Sequence, residues 1–587
     1  MIGFFVIDIN VLCTISRSFR NTTYLSIFLS LTMLNSLMAQ NIRDINAGTL
    51  GGSLYNQIIT NFPPPVLPKV GPEQPVFKSE MLKGNGIRIF VKKFNFIGNF
   101  LISKNIIDKE VQAYLNRELT FADLKNVAAI ISDMYRNQGY IATVVLPEQD
   151  VTSGVVNLKI IEARFSGVVF DSNNNTRLNN NLIKNRIERI QPVGNPVNTR
   201  IINEGLLISQ DLSGVTLSGG LIQGVDDGET GFSVFVKDKD IISGDIGFNN
   251  NGGRSTGANQ LTASLNASNG IGSGEQVNLN LLRSVGSEFA KIGFSLPVYE
   301  TGLKFSSNAS YMDYKVVAPE LSFGDFNGTS STAGFELSQP LLRSDKFNII
   351  ISSGIDAKTF INKSSDVILS NYKIISVNGS VNANLFDNLF NEGVSSLTAA
   401  YTFGRVDLSG SPNSQQDLLG PQTAGNYSKI KTSITRTEKL TETASIFVAG
   451  VVQKAFKNLD SSEKLSLGGP SGVRAYPSGE GSGSSGSTIT VELRQKIPTL
   501  EKLEAFTFFD FGQVYVNEKL YDGAAAKNTL NYKGYGLGFN ITGPYEATTK
   551  IVWSHRIGDN PNPSQNGKDQ DGQKREDRFW VSSSINY

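Results

Sequence analysis

From residue 242 to the C-terminus, apolar and polar side chains alternate in runs of about ten residues, and the helical period disappears. Gln260–Asn266, Gln276–Leu282, Lys429–Thr435, Thr488–Arg494 and Tyr532–Ile541 show the alternation clearly. In the last run, Asp577–Tyr587, Phe579, Val581, Ser583, Ile585 and Tyr587 share one face, and Trp580, Ser582, Ser584 and Asn586 share the other. Sixteen such runs fit in this stretch, roughly 22 residues per strand and loop, which is the spacing of an even-numbered antiparallel barrel. Lipid supplies no hydrogen-bond partners, so a membrane-spanning sheet has to close and pair every backbone group. A β-solenoid or a pair of sandwiches is the aqueous alternative. The aromatic residue ending the terminal strand favours the barrel. Runs such as Lys346–Phe360 exceed the ~10 residues that cross a bilayer and should project beyond it.

The chain before residue 242 has a different texture. Ile87–Phe96 alternates like a strand, and a helix is expected over Asn105–Asn116. Thr120 caps a second helix carrying Leu124, Val127, Ala128, Ile131, Met134 and Tyr135 at helical spacing. Gly139 ends it, and strand-like runs follow at Ile141–Leu146 and Val155–Ile161. The same β-α-α-β-β order then repeats: strand Phe165–Phe170, helices near Leu178–Ile190 and Thr199–Leu212, strands near Val215–Ile222 and Gly231–Lys237. Two α+β units, 87–163 and 164–241, are therefore expected. Each leaves open sheet edges that can accept an extended peptide as an added strand.

Residues 1–39 read as a secretory signal. Arg17 and Arg20 precede the apolar run Tyr24–Leu34, and cleavage fits after Ala39. Cys13 follows Leu12, not the small residue a lipoprotein signal needs. Asp44–Phe62, with Leu50, Leu54, Ile58 and Ile59 at helical spacing, reads as a helix weakened by Gly48, Gly51 and Gly52. Pro63, Pro64 and Pro65 stop it, and Pro68, Pro72 and Pro75 make an extended tether of 63–86. Segment 40–62 is thus either a floppy tail or a detachable helix.

Charge and composition exclude several classes. Among 587 residues there are 54 Lys and Arg against 53 Asp and Glu, with one His and one Cys. This balance gives no reason to expect nucleic-acid binding. Sites built from His and Cys are nearly excluded, and cleavage after Ala39 would leave a thiol-free chain suited to an oxidising compartment.

Four motifs carry chemistry or recognition. The first is Gly139-Tyr140…Pro147-Glu148-Gln149…Gly154. The second is Gly194-Asn195-Pro196 followed by Leu206-Leu207…Asp211-Leu212-Ser213-Gly214-Val215. The third is Val473-Arg474-Ala475-Tyr476, and the fourth Phe508-Phe509-Asp510-Phe511-Gly512. In this order the chain resembles the two-partner secretion transporters, the TpsB proteins of the haemolysin secretion/activation family. Ser213 stands where that family usually has Pro, and Ala475 where it has Gly. The resemblance implies two POTRA domains followed by a 16-stranded transmembrane antiparallel β-barrel, over 242–587, with 40–62 as a plug helix. It assigns partner binding to Gly139, Tyr140, Pro147, Gln149, Gly154, Leu206, Leu207, Asp211 and Gly214, and a barrel-assembly signal to Tyr587.

Leu467–Ser487 is too rich in Gly and Ser for a strand and is expected to be a long loop. Strand alternation over Phe506–Tyr515 puts Phe508, Asp510 and Gly512 on the lumen face, and Thr507, Phe509 and Phe511 toward lipid. An Arg on the loop is the natural partner for Asp510, because guanidinium and carboxylate pair bidentately. The resemblance implies that loop 467–487 folds into the barrel and pairs Arg474 with Asp510, with Val473, Ala475, Tyr476, Phe508 and Gly512 around them. Two unrelated lumen charges are the plainer reading. Gly481–Gly486 matches a dinucleotide fingerprint but is followed by a strand, not a helix. His555 reads as an ordinary strand residue. Asp559–Asp577 lacks Ca²⁺-loop spacing and reads as a surface loop.

The expected function is export without bond chemistry. An outer-membrane pore would take an unfolded, large exoprotein (adhesin or haemolysin type) from the periplasm and secrete it. No enzyme activity, cofactor, metal, nucleic acid or nucleotide is implied. Outer-membrane lipid and, during biogenesis, the barrel-assembly machinery would be its other partners. The alternatives are a barrel-assembly factor of the same superfamily, which usually carries more POTRA units, and a small-solute porin, which needs no soluble domains.

Overall fold

The computed structural model describes residues 46–51, 88–170, 175–318, 325–500, 502–564 and 566–587. The expected signal peptide, the tether and most of the N-terminal helix lie outside the described residues.

The first small domain is built on the helix Phe121–Asn137. Thr120 and Asp123 cap it reciprocally: Asp123 N donates to Thr120 Oγ1 (3.2 Å) and Thr120 N to Asp123 Oδ2 (2.8 Å). The Thr120 N–H and hydroxyl both donate to Asp123 Oδ2 (2.8 Å each) and hold that carboxyl below its usual range. The cap's contribution is therefore present above the ordinary carboxylate pKa and lost as pH falls through the depressed one. Leu124, Val127, Ile131 and Tyr135 bury one stripe of the helix against Phe94, Phe96, Val156, Leu158 and Ile160 of the sheet.

Two expectations change here. The run Ile87–Phe96 is two strands, because the Gly154 carbonyl accepts from both Lys92 N (2.8 Å) and Lys93 N (3.3 Å) and pins the chain between them. Ile89–Val91 pairs antiparallel with Arg117–Leu119, and Lys93–Ile97 pairs in parallel with Val155–Glu162. The helix expected to reach Asn116 stops at Val111, with a 3₁₀ turn and Asn116 at φ 56° releasing the chain into Arg117–Leu119.

The second domain has helices Asn180–Ile190 and Thr199–Gln210 against a sheet whose central strand is Glu229–Asp238, flanked by Arg164–Phe170 and Val215–Gln223. It seats on three barrel turns. Asn179 N donates to Gly272 O (2.9 Å), Asn185 Nδ2 to Glu300 Oε1 (3.0 Å) and Asn203 Nδ2 to Asp345 Oδ1 (2.9 Å). Arg343 pairs with Asp211.

Among the described residues, sixteen strands from Ile242–Asn249 to Asp577–Asn586 close into one antiparallel barrel. Outward positions such as Phe335, Leu337, Ile355 and Val377 are exposed apolar residues, as a lipid-facing surface requires. The seam joins Ser582–Asn586 to Asp245–Asn249 over five residue pairs. Tyr587 extends it, exchanging backbone hydrogen bonds with Gly244 (3.0 and 3.1 Å). Phe579, Ile585 and Tyr587 face outward there, and Trp580 faces inward and is buried.

Candidate functional site inside the barrel

The chain leaves the barrel wall after the strand Ala444–Ala455, enters the lumen, and returns to the wall at Ser485–Lys496. The Gly/Ser tail expected to be loop is partly strand. Leu465–Ser466 pairs with Ser482–Gly483, and Ser485 begins a wall strand. The small side chains are the reason. Gly483 and Gly486 lie so close to Tyr515, Val514 and the Gln513 carbonyl that no Cβ would fit.

The strand Leu503–Tyr515 presents Phe506, Phe508, Asp510, Gly512 and Val514 as buried inward positions. Arg474 meets this face. Its Nε donates to Asp510 Oδ2 (2.9 Å) and its Nη2 to Asp510 Oδ1 (2.7 Å), while its backbone N donates to Asp510 Oδ2 (3.0 Å). The third arm, Nη1, reaches Glu492 Oε1 (2.6 Å), and the guanidinium carbon lies 3.4 Å from the Phe508 ring centroid. Arg474 and Asp510 are 4% and 1% exposed, so the pair is dry and bidentate. The Arg474 carbonyl accepts from Ser554 Oγ and Trp580 Nε1, both at 2.8 Å.

The neighbours of Arg474 fill the same layer. Val473 and Leu467 occupy the space that a Cβ on Gly512 would need. Ala475 lies outside the left-handed region, so the turn does not require glycine there. Room comes instead from Gly534, where an added Cβ would come within 2.5 Å of Ala475 Cβ. Tyr476 is fully buried, edge-on to Tyr532 at 4.7 Å, with Arg556 over its ring.

Three groups of polar residues in and around the lumen loop escaped the sequence reading. Glu492 follows from strand register, since Glu492 pairs across from Phe508. The second group corrects the surface-loop reading of Asp559–Asp577 in part: residues 566–568 and 574–577 are exposed, but Asp569 is 1% exposed and binds Arg556 and Arg578, and Asp571 binds Arg578. Glu480 of the lumen loop accepts from Asn560 Nδ2 (3.1 Å) and Gln570 N (2.8 Å) there. The carboxylates are spaced for arginines contributed by the strands Thr548–Arg556 and Asp577–Asn586, which the spacing along the loop itself does not display. The third group is Glu463, paired with Lys358 (2.6 Å) and Lys429 (2.8 Å) of the wall.

The described N-terminal residues lie in the same lumen. Residues 47–51 are helical, Ala47 is fully buried, Ala47 N donates to Asn362 Oδ1 (2.7 Å), and Ser461 Oγ of the loop donates to Asn46 Oδ1 (2.8 Å).

The motif residues of the small domains do architectural work. Gly139, at φ 87°, ends its helix and offers its carbonyl to Thr199 N (2.8 Å), and Tyr140 bridges Asn198, so this motif joins the two domains. Pro147 and Gly154 frame a loop held by Gln149, whose side chain pairs with both Asn157 N (2.6 Å) and Asn157 O (2.8 Å), replacing a strand at that edge. Leu206 and Leu207 are core. Asp211 and Gly214 sit at the barrel joint, Gly214 against Ser268 and Asn269. Gln149→Ala should leave both Asn157 backbone groups unpaired, costing ~1–3 kcal/mol locally. Hydrogen exchange at the Asn157 amide of the full chain measures this. Unchanged protection would refute the strand-replacing role.

Residues 228–541 match the family model of the haemolysin secretion/activation protein ShlB/FhaC/HecB, and residues 89–163 match the ShlB-type POTRA domain. The chain belongs to the haemolysin secretion/activation family. This member is an outer-membrane two-partner secretion transporter with periplasmic POTRA domains, and the barrel turns that seat the second domain are its periplasmic end. It is similar to the heme/hemopexin transporter protein HuxB of Haemophilus influenzae, 23% identical over 511 residues, covering 85% of this chain and 87% of that one. The outer membrane transporter CdiB of Dickeya dadantii is 24% identical over 434 residues, covering 70% of this chain and 74% of the relative. CdiB from Escherichia coli superposes with a TM-score of 0.68 at 20% identity, over 94% of this chain and 98% of that chain. CdiB from Acinetobacter baumannii gives 0.61 at 17%, over 94% and 99%. Members of the family are secretion proteins, and the transporter reading prevails over a barrel-assembly role.

Proposed function

We propose that this transporter holds its lumen shut with two removable inserts and opens when an unfolded exoprotein of adhesin or haemolysin type engages the POTRA domains. The observation that carries this reading is the double occupancy of one closed barrel. A helical turn at 47–51 and a loop anchored by Arg474 fill the same lumen and touch at Asn46 and Ser461. The helix is the plug and residues 63–86 its tether. Arg474, Asp510 and Glu492 are the clasp that gives the loop one position. The sheet edge Lys93–Ile97, paired on one side only among the described residues, takes the exoprotein by strand addition. Folding of the exported chain outside supplies the pull, so no nucleotide, cofactor or bond chemistry is required. Outer-membrane lipid and, during biogenesis, the barrel-assembly machinery are its other partners, the latter reading the strand that ends in Tyr587.

Deleting the gene should remove one large protein from the culture medium while other barrel proteins still assemble. General loss of barrel proteins would favour an assembly role instead. Ala47→Glu places a charge at a fully buried position against an apolar wall. Purified in planar bilayers, this variant should convert a mostly closed pore to persistent ion conductance. A closed variant would contradict the plug role.

A further inference from the structure

The lumen wall is chemically divided along its axis. Near the extracellular end the inward residues Phe289, Met312, Tyr314, Phe360, Tyr372 and Tyr427 form an apolar collar spanning the strands from Ser287–Pro297 to Gly425–Lys439. Phe360 and Tyr372 stack at 5.1 Å across adjacent strands. Directly below it the same strands turn charged side chains inward, Lys291, Asp356, Lys358, Lys429 and Lys431, and nearer the periplasm the inward positions become amides and hydroxyls, among them Ser352, Ser380, Asn382 and Thr398. These amides and hydroxyls mostly satisfy one another, as in Ser352 with Ser380 (2.7 Å) and Thr398 with Asn382 (2.8 Å).

A segment of polypeptide already sits on the collar. Ala47 and Leu50 pack into it, and Leu459 of the lumen loop closes it from the side. The polar contact there is to the backbone: Asn362 Oδ1 receives Ala47 N at 2.7 Å and Tyr314 Oη at 2.9 Å. A grip made of apolar side chains plus one acceptor for a main-chain N–H reads little sequence and suits any extended chain with apolar residues. When residues 46–51 depart, the collar faces water, and apolar surface in water favours whichever polypeptide covers it next.

We infer that the collar is a second-occupancy clamp: it holds the plug at rest and an extended apolar segment of the exoprotein during export, while the polar wall below, charged and then neutral, offers apolar side chains little grip and lets the chain pass. This inference rests on the export reading. It is tested in full-length protein in cells, with the photo-cross-linking residue p-benzoylphenylalanine at Phe360 or, nearer the periplasm, at Ser380. The probe is the protein whose presence in the medium depends on this gene. Position 360 should yield a high-mass adduct with that protein, and only an internal adduct to residues 46–51 in purified, idle transporter. An adduct from 380 with none from 360 would overturn the clamp while leaving export intact. No adduct from either position, with a medium unaffected by gene deletion, would overturn export itself. Independently, Phe360→Ser with Tyr372→Ser should lower the extracellular protein by about tenfold with the heat-modifiable barrel band preserved. Undiminished export by that inserted variant would also overturn the clamp.

Discussion

Arg474→Ala is expected to abolish most secretion while the barrel still inserts. The substitution leaves the buried Asp510 carboxylate without its cation, while Glu492 keeps Arg494 (2.6 Å), and it strips the cation from the face of Phe508. Removing one partner of a dry ion pair costs ~3–5 kcal/mol, which corresponds to about a hundredfold or more in occupancy of the loop's seat. The loop is an insertion between two wall strands, and the wall pairing Ala444–Gln453 with Gly486–Gln495 does not pass through Arg474. The loss should therefore appear in export, not in insertion. Heat-modifiable migration of the outer-membrane protein and the amount of exoprotein in the medium separate the two. Undiminished secretion would remove the clasp role. Arg474→Lys is expected to rescue only partly, since an ammonium cannot hold Asp510 bidentately and reach Glu492 together.

Gly536→Val should act at an earlier stage and prevent a mature barrel. The strand Thr529–Thr542 turns Gly534, Gly536 and Gly538 inward, paired across from Asp510, Phe508 and Phe506. A Cβ on Gly536 would lie 2.1 Å from the Trp553 carbonyl and 2.5 Å from Phe508 Cζ. Phe508 could rotate, but a backbone carbonyl in the wall can yield only by displacing a strand. The heat-modifiable form should be lost and cellular levels should fall. A barrel of normal abundance and mobility would show that this strand can move aside, and would contradict the close packing assigned to the glycine stripe.

The two variants also separate what the pattern along the chain decides from what it does not. Alternation legibly placed Phe508, Asp510 and Gly512 inward, because a strand in lipid must turn every second side chain away from it. The same rule places Glu492 inward through its register with Phe508, yet its contact with Arg474 depends on the depth to which a loop descends. The inward turn of Asp569 and Asp571 was illegible for a similar reason. Asp569 finds Arg556 and Arg578 on two strands flanking its own loop, and a polar loop in solvent has the same composition as one whose carboxylates are buried against arginines.

By itself the chain's periodicity determined the class of this protein: sixteen alternating runs need closure because lipid cannot satisfy an open edge, and two repeated β-α-α-β-β units need a place outside the bilayer. The tertiary structure alone decided what fills the cylinder. Arg474 shares its charge between two carboxylates, a glycine on the facing strand makes room for Ala475, and an apolar collar closes on residues 47–51. Those choices depend on which side chains meet across the lumen, and distance along the chain carries no information about that meeting.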